Sequence, residues 1–118
     1  MRIINNIAFF GFSHTKKGEP LYQEVYSAAK LLAENDYTIV NGGGPGVMNA
    51  ATQGAEEVGG ETVAITFYPQ AAVNFEGKYP QNVPDKEIKT GDYIERMFGL
   101  FKEAELFVIF KGGTGTLS

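Results

Sequence analysis

Two short glycine windows carry the residues of this sequence best suited to chemistry. Asn41-Gly42-Gly43-Gly44-Pro45-Gly46-Val47-Met48 follows a β-branched run and precedes apolar residues at helical spacing. A strand-to-helix turn almost free of side chains lets a phosphate or sugar approach the backbone, with helix N-terminal amides aimed at it. The candidate ligand contacts there are Gly42, Gly43, Gly44, Gly46 and Met48. In the second window, Gly112, Gly113 and Gly115 supply amides, while Thr114 and Thr116 supply hydroxyls at the start of a helix. The helix dipole favours an anion at that place. Seven of the fifteen glycines fall in these two windows, so function is sought there first. Each window read singly also fits a structural turn, the second with a threonine cap; two on one sheet edge are more specific than either alone.

Three further residues join the candidates. Arg96 lies early in a helix with an apolar stripe at Ile94, Met97, Phe98 and Phe101, beside that stripe rather than opposite it. A guanidinium there suits bidentate capture of a phosphate or carboxylate; the competing reading is a surface salt bridge with Glu95 or Asp92. Ser13, just after the first strand, is placed to bond a sugar or phosphate, or equally to cap a turn. His14 has no identifiable acid or nucleophile partner, and Lys16-Lys17 reads as a solvated turn or as a pair that steers an anion.

Several chemistries are excluded. No cysteine is present, so disulfides, zinc–thiolate sites and thiol catalysis are ruled out, and one histidine cannot build a His-rich metal centre. A dinucleotide fingerprint needs its glycines after the first strand and an acidic residue ending the second, whereas the second strand here ends Val40-Asn41-Gly42. No Lys-Ser/Thr pair follows either glycine window at Walker spacing. The net charge of −4 gives no electrostatic reason to bind nucleic acid or an anionic membrane. The amino terminus breaks its apolar run too early for a signal peptide, and the longest apolar run, Leu106 to Phe110, is too short to cross a bilayer. A cytoplasmic location is expected, with no metal and no cofactor.

The elements that must position these groups alternate. With 43% hydrophobic and 20% charged residues, the 118-residue chain is expected to form one globular domain over 1–118. Apolar or β-branched runs at Ile7–Phe10, Tyr37–Val40, Thr62–Thr66 and Leu106–Phe110 predict four strands. The last is apolar throughout, as expected of a central strand covered on both faces. Helical spacing appears from Pro20 and Leu21 to Leu32, and from Val47 to Val58, where Gly59-Gly60 stops the helix. The third helix opens near Asp92, with Glu95 three residues on, a capping-box-like pair. Its stripe at 94, 97, 98 and 101 is predicted to be buried. Residues 67–90, with three prolines, read as a long loop with a short strand near Glu87-Ile88-Lys89.

The fold class is therefore α/β: a Rossmann-like open parallel sheet in the order 3-2-1-4, helices on both faces. Right-handed crossovers place both glycine turns on the carboxyl edge, where open α/β sheets bind ligands.

With its glycine windows assembled, the chain resembles the LOG-type phosphoribohydrolases, often labelled lysine decarboxylase-like, which release cytokinin bases from nucleoside monophosphates. Their motif G-G-G-x-x-G-x-M compares with Gly42-Gly43-Gly44-Pro45-Gly46-Val47-Met48, here one residue shorter between glycines. Their P-G-G-x-G-T-x-x-E compares with Lys111-Gly112-Gly113-Thr114-Gly115-Thr116-Leu117-Ser118, with lysine in place of proline. Ser13, and the interval from Arg96 to Lys111, also match the family pattern. The resemblance implies hydrolysis of the N-glycosidic bond of AMP or a cytokinin riboside monophosphate. It implies a phosphate on Gly112–Thr116, catalytic assistance from Arg96 at the ribose or leaving base, and the base over 42–48 near Met48. It also implies a homodimer, with the third helix at the interface. The family's catalytic glutamate falls immediately after Ser118, so the expectation is a domain incomplete at its carboxyl terminus. A non-catalytic nucleotide-binding or carrier protein of the same superfamily is the alternative. Decarboxylation is not expected, because no pyridoxal-phosphate lysine site is recognisable.

Overall fold

A computed structural model describes residues 4–11, 14–67 and 82–110. The elements run β1 (Asn6–Gly11), α1 (Pro20–Glu34), β2 (Thr38–Asn41), α2 (Val47–Glu57), β3 (Thr62–Phe67), β4 (Lys86–Thr90), α3 (Tyr93–Glu103) and β5 (Leu106–Phe110). All strand pairings are parallel, and the sheet order is β4-β3-β2-β1-β5. The expected 3-2-1-4 order thus holds for the four apolar strands, with β5 as the fourth. The short strand near 87–89 becomes β4 and extends the sheet beyond β3.

Local chemistry explains the boundaries. Pro20 opens α1, where its missing N–H costs nothing. Gly59, at φ +70°, ends α2, with the Gly60 N–H bonded to the Ala55 carbonyl and the Gly59 N–H to that of Glu56. This pattern satisfies the last carbonyls of the helix. Asp92 caps α3 by accepting the Glu95 N–H at 2.8 Å, while the Glu95 carboxylate accepts the Gly91 N–H at 3.1 Å. Glu95 therefore reaches one residue beyond the usual capping-box partner.

Alternation along the strands separates two cores. Ile7, Phe9 and Ile39 face α1 and α2, burying Val25, Ala29, Val47, Ala51 and Ala55. Ala8, Val40, Val63 and Ile65 face the other way and bury Leu100 and Ala104 around α3. Each fully buried large aliphatic side chain contributes ~1.5–3 kcal/mol from water exclusion.

The seating of α3 reverses one expectation. Ile94, Met97, Phe98 and Phe101 are 68%, 42%, 69% and 55% exposed, so the apolar stripe faces outward. The side turned to the sheet carries Arg96, Gly99 and Leu100. Gly99 explains the choice: a Cβ there would stand 2.7 Å from Ile65 Cγ2, so only glycine lets the helix settle this close to β3. Among the described residues β5 pairs with β1 alone, and Leu106 and Ile109 are exposed, so β5 borders the described sheet. Its inner residues still pack: Phe110 stacks on Phe9 and Phe107 on Phe10, with centroids 5.4 and 5.7 Å apart.

Candidate functional site

The glycine turn between β2 and α2 is built from beneath by asparagines. Asn41, wholly buried at the end of β2, accepts the Gly43 N–H at 2.7 Å and donates to Thr52 Oγ1 at 2.8 Å. The first bond is an Asx turn, a local device that folds the chain back on itself. The second ties the turn to the helix it feeds. Asn82, also wholly buried, donates to the Gly44 carbonyl at 3.0 Å and to Asn41 Oδ1 at 3.4 Å. These bonds tie the turn to β2, to α2 and to Asn82 from beneath, while Asn82 Oδ1 is itself buried with no hydrogen bond.

The turn demands glycine at defined points. Gly43 has φ +77°, and a Cβ there would lie 2.6 Å from Thr66 Cγ2. Gly46, at φ +68°, is the N-cap of α2 and provides no side-chain cap. The first-turn amides of α2 are therefore left to another acceptor, and no acidic residue occupies that turn.

Arg96 arrives from the opposite side of the sheet. The Asp92 cap starts α3 at a phase that turns residue 96 toward the carboxyl edge, and its guanidinium comes to rest over Gly42. A Cβ on Gly42 would lie 3.3 Å from an Nη of Arg96 and 3.0 Å from Met48 Sδ. Arg96 is half-buried, with its Nε inaccessible to solvent. Neighbouring Asp92 and Glu95 spend carboxylate oxygens on the helix cap. A planar cation thus roofs a bare backbone turn beside a polarizable thioether, an arrangement that can hold an anion and the face of a flat ring.

The structure brings Arg96, Gly42 and Met48 together, and holds Gly43, Gly44 and Gly46 in the same turn. Ser13 and the cradle Gly112, Gly113, Thr114, Gly115 and Thr116 lie outside the described residues. His14, Lys16 and Lys17 are exposed after β1 on the same edge. Sequence reasoning missed Asn41 and Asn82 as builders of the turn. An asparagine directly before three glycines is a readable Asx signal; Asn82 has no local signal at all. Among the described residues no cluster of His, Asp and Glu could hold a metal, and no helix is long and apolar enough to cross a membrane.

Comparison with known proteins agrees with this architecture. The model of the SLOG cluster4 family matches residues 5–118. An uncharacterized protein of Archaeoglobus fulgidus is 30% identical over 100 residues, covering 85% of this chain and 62% of that protein. The X-ray structure of TM1055 has a TM-score of 0.72 and 29% identity over 93% of this chain and 61% of its own. The molybdenum cofactor binding protein of the phototrophic bacterium Rippkaea orientalis has a TM-score of 0.72 and 25% identity, covering 99% of this chain and 68% of its own. The chain spans less than two thirds of the first two relatives. On the strength of the family match along nearly its whole length, the chain belongs to the SLOG cluster4 family.

Proposed function

We propose that this protein binds a nucleotide-like phosphorylated ligand, of which AMP is the simplest example, across the Gly42–Met48 turn and beside Arg96. The observation that carries the reading is the Arg96 guanidinium over Gly42, beside Met48. A ring laid on this turn contacts the thioether and the guanidinium plane. The phosphate belongs on the Gly112–Thr116 amides, by resemblance to the family motif. Arg96 lends charge between them. The kinship with a protein described as binding the molybdenum cofactor supports a binding or carrier role. Calorimetric titration with AMP tests it: saturable binding is expected, and its absence in a folded protein overturns the reading.

A catalytic version rests on the same arginine. Breaking an N-ribosyl bond builds oxocarbenium character on the sugar, which a carboxylate stabilises while orienting water. By resemblance, Arg96 would assist at the ribose or the departing base, and the glutamate of the family motif would be the carboxylate. Incubation with AMP and assay of free adenine and ribose 5-phosphate separates hydrolysis from binding. Self-association belongs to the same proposal: a second copy covering Ile94, Met97, Phe98 and Phe101 would remove an apolar face from water, and that face is the outer side of the helix that carries Arg96.

A further inference from the structure

Residues 82–85 join the glycine turn to the amino edge of the sheet, and both ends are fastened to other elements. At one end Asn82 donates to the Gly44 carbonyl and to Asn41 Oδ1. At the other, Asp85 leads into β4 and forms a reciprocal pair with the wholly buried Thr62. Its carboxylate accepts the Thr62 N–H at 3.0 Å, and its own N–H donates to Thr62 Oγ1 at 2.8 Å. The link between the two ends is short and stiff. Pro84 fixes its own φ and disfavours helical backbone at Val83, so the strap spans at most ~10 Å with little freedom. A displacement of Asp85 is therefore passed on to Asn82.

The Thr62 hydroxyl also serves a second acid. It donates to Glu56 Oε1 of α2 at 2.7 Å, and the Asp85 carboxylate comes within hydrogen-bonding reach of the same Glu56 side chain. Two carboxyl groups thus converge on one buried threonine, a setting that disfavours two negative charges. Among the described residues, the charged groups on the surrounding elements are turned elsewhere. Lys86 stands at the register of Val63, whose side chain packs in the α3 core. Lys30 of α1 pairs with Glu57, which also accepts from the Tyr26 hydroxyl. Glu61 accepts from Thr38, and Glu87 accepts from Thr66 nearer the carboxyl edge. Burial pushes the Glu56 carboxyl above its ordinary 4.5, the Thr62 hydroxyl draws it back, and Asp85 adds to the rise.

We propose that Glu56 and Asp85 form a proton-operated clasp: sharing one proton they fasten residues 82–85 to α2, and losing it to solvent they part and loosen Asn82 under the glycine turn. The clasp acts on the shape of the turn and does not depend on which ligand the turn takes. A carboxyl group raised on folding contributes stability below its unfolded pKa and loses it as pH rises through the folded value. The turn is therefore firmest in mild acid.

The ¹⁵N-labelled protein is followed between about pH 4 and 8 by the Asn82 side-chain amide and the backbone amides of Gly43, Thr62 and Asp85. These signals are expected to move along one titration curve with a midpoint above 4.5. Glu56→Gln keeps an acceptor for Thr62 and offers Asp85 a permanent N–H. It should hold the low-pH positions throughout, and in denaturant its advantage over wild type should grow as pH rises. Asp85→Asn, at an exposed position, should do the same and decides the matter if Glu56→Gln fails to fold. A titration that stops at Thr62 and Asp85, leaving Asn82 and Gly43 still, would overturn the proposal. So would a wild-type titration that persists in a folded variant, or the absence of any titration above 4.5.

Discussion

Arg96 and Gly42 meet across the carboxyl edge of the sheet: the guanidinium stands 3.3 Å from where a Cβ on Gly42 would be. One residue comes from the helix on the α3 face, the other from the turn that feeds a helix on the opposite face. The space between them is limited but soft, because the atoms facing Gly42 belong to the flexible side chains of Met48 and Arg96. Gly42→Ala should therefore fold normally and bind AMP a few-fold more weakly, whereas Gly42→Val should displace the guanidinium and lose most affinity. Calorimetry on both variants checks this; equal, wild-type affinity in Gly42→Val would deny that the ligand uses this contact.

Gly43 is expected to behave in the opposite way. Its φ of +77° and the 2.6 Å approach to Thr66 Cγ2 leave no room for a methyl group. Gly43→Ala should cost at least ~1–2 kcal/mol from the left-handed backbone alone. Denaturant unfolding reads this directly, and a variant as stable as wild type would mean the turn is looser than described.

Removing Asn41 strips the turn of its support. Asn41→Ala leaves the buried Gly43 N–H without its acceptor and Thr52 without its donor, costing about 2–3 kcal/mol. AMP affinity should fall in the same variant, because the amides above lose their fixed shape. A stability change below half of that range would refute the network's role.

On the α3 face, Phe98→Asp with Phe101→Asp should leave the fold intact, since both side chains are exposed. Sedimentation should show the wild type self-associating at micromolar concentration and the variant monomeric. A monomeric wild type would remove the second copy from the account.

Acid should loosen the junction of β1 and β5. The Glu105 carboxylate accepts the N–H groups of Asn5 and Asn6 at 2.7 and 2.9 Å, and these bonds hold its pKa below the ordinary 4.5. A carboxyl group depressed on folding adds stability above its unfolded pKa and loses it as pH falls through the folded value. Wild type should thus lose this increment below about pH 4.5, while Glu105→Gln should be less stable at neutral pH and show a flatter acid limb. Parallel pH profiles for the two proteins would contradict the assignment.

Much of this fold is legible in the sequence because its signals are local. Pro20, the Gly59-Gly60 stop and the Asp92–Glu95 spacing each mark a helix end by chemistry within a few residues. The strands of the interior announce themselves by β-branched and aromatic runs. The polar β4, Lys86-Glu87-Ile88-Lys89-Thr90, shows only as a short strand within a presumed loop, because an edge strand needs little apolar surface. The outward stripe of α3 escapes prediction for a different reason: periodicity tells which face is apolar, not which face the sheet receives. Here one glycine, Gly99, decides that by permitting close approach to Ile65. At the site, the glycine turn and Arg96 are visible as types and spacing. Asn82 is not, because its partners Asn41 and Gly44 lie far back along the chain.

Replacement of Arg96 tests the account most directly. AMP binding is measured by calorimetry on wild type, Arg96→Ala and Arg96→Lys, with thermal unfolding recorded beside each. Loss of charge-assisted hydrogen bonds worth about 2 kcal/mol predicts roughly thirtyfold weaker binding in Arg96→Ala. Arg96→Lys should not restore it, because one ammonium cannot reproduce a planar fork. Unfolding should remain cooperative in all three. A folded Arg96→Ala protein that binds AMP as tightly as wild type would contradict the placement of the ligand beside Arg96.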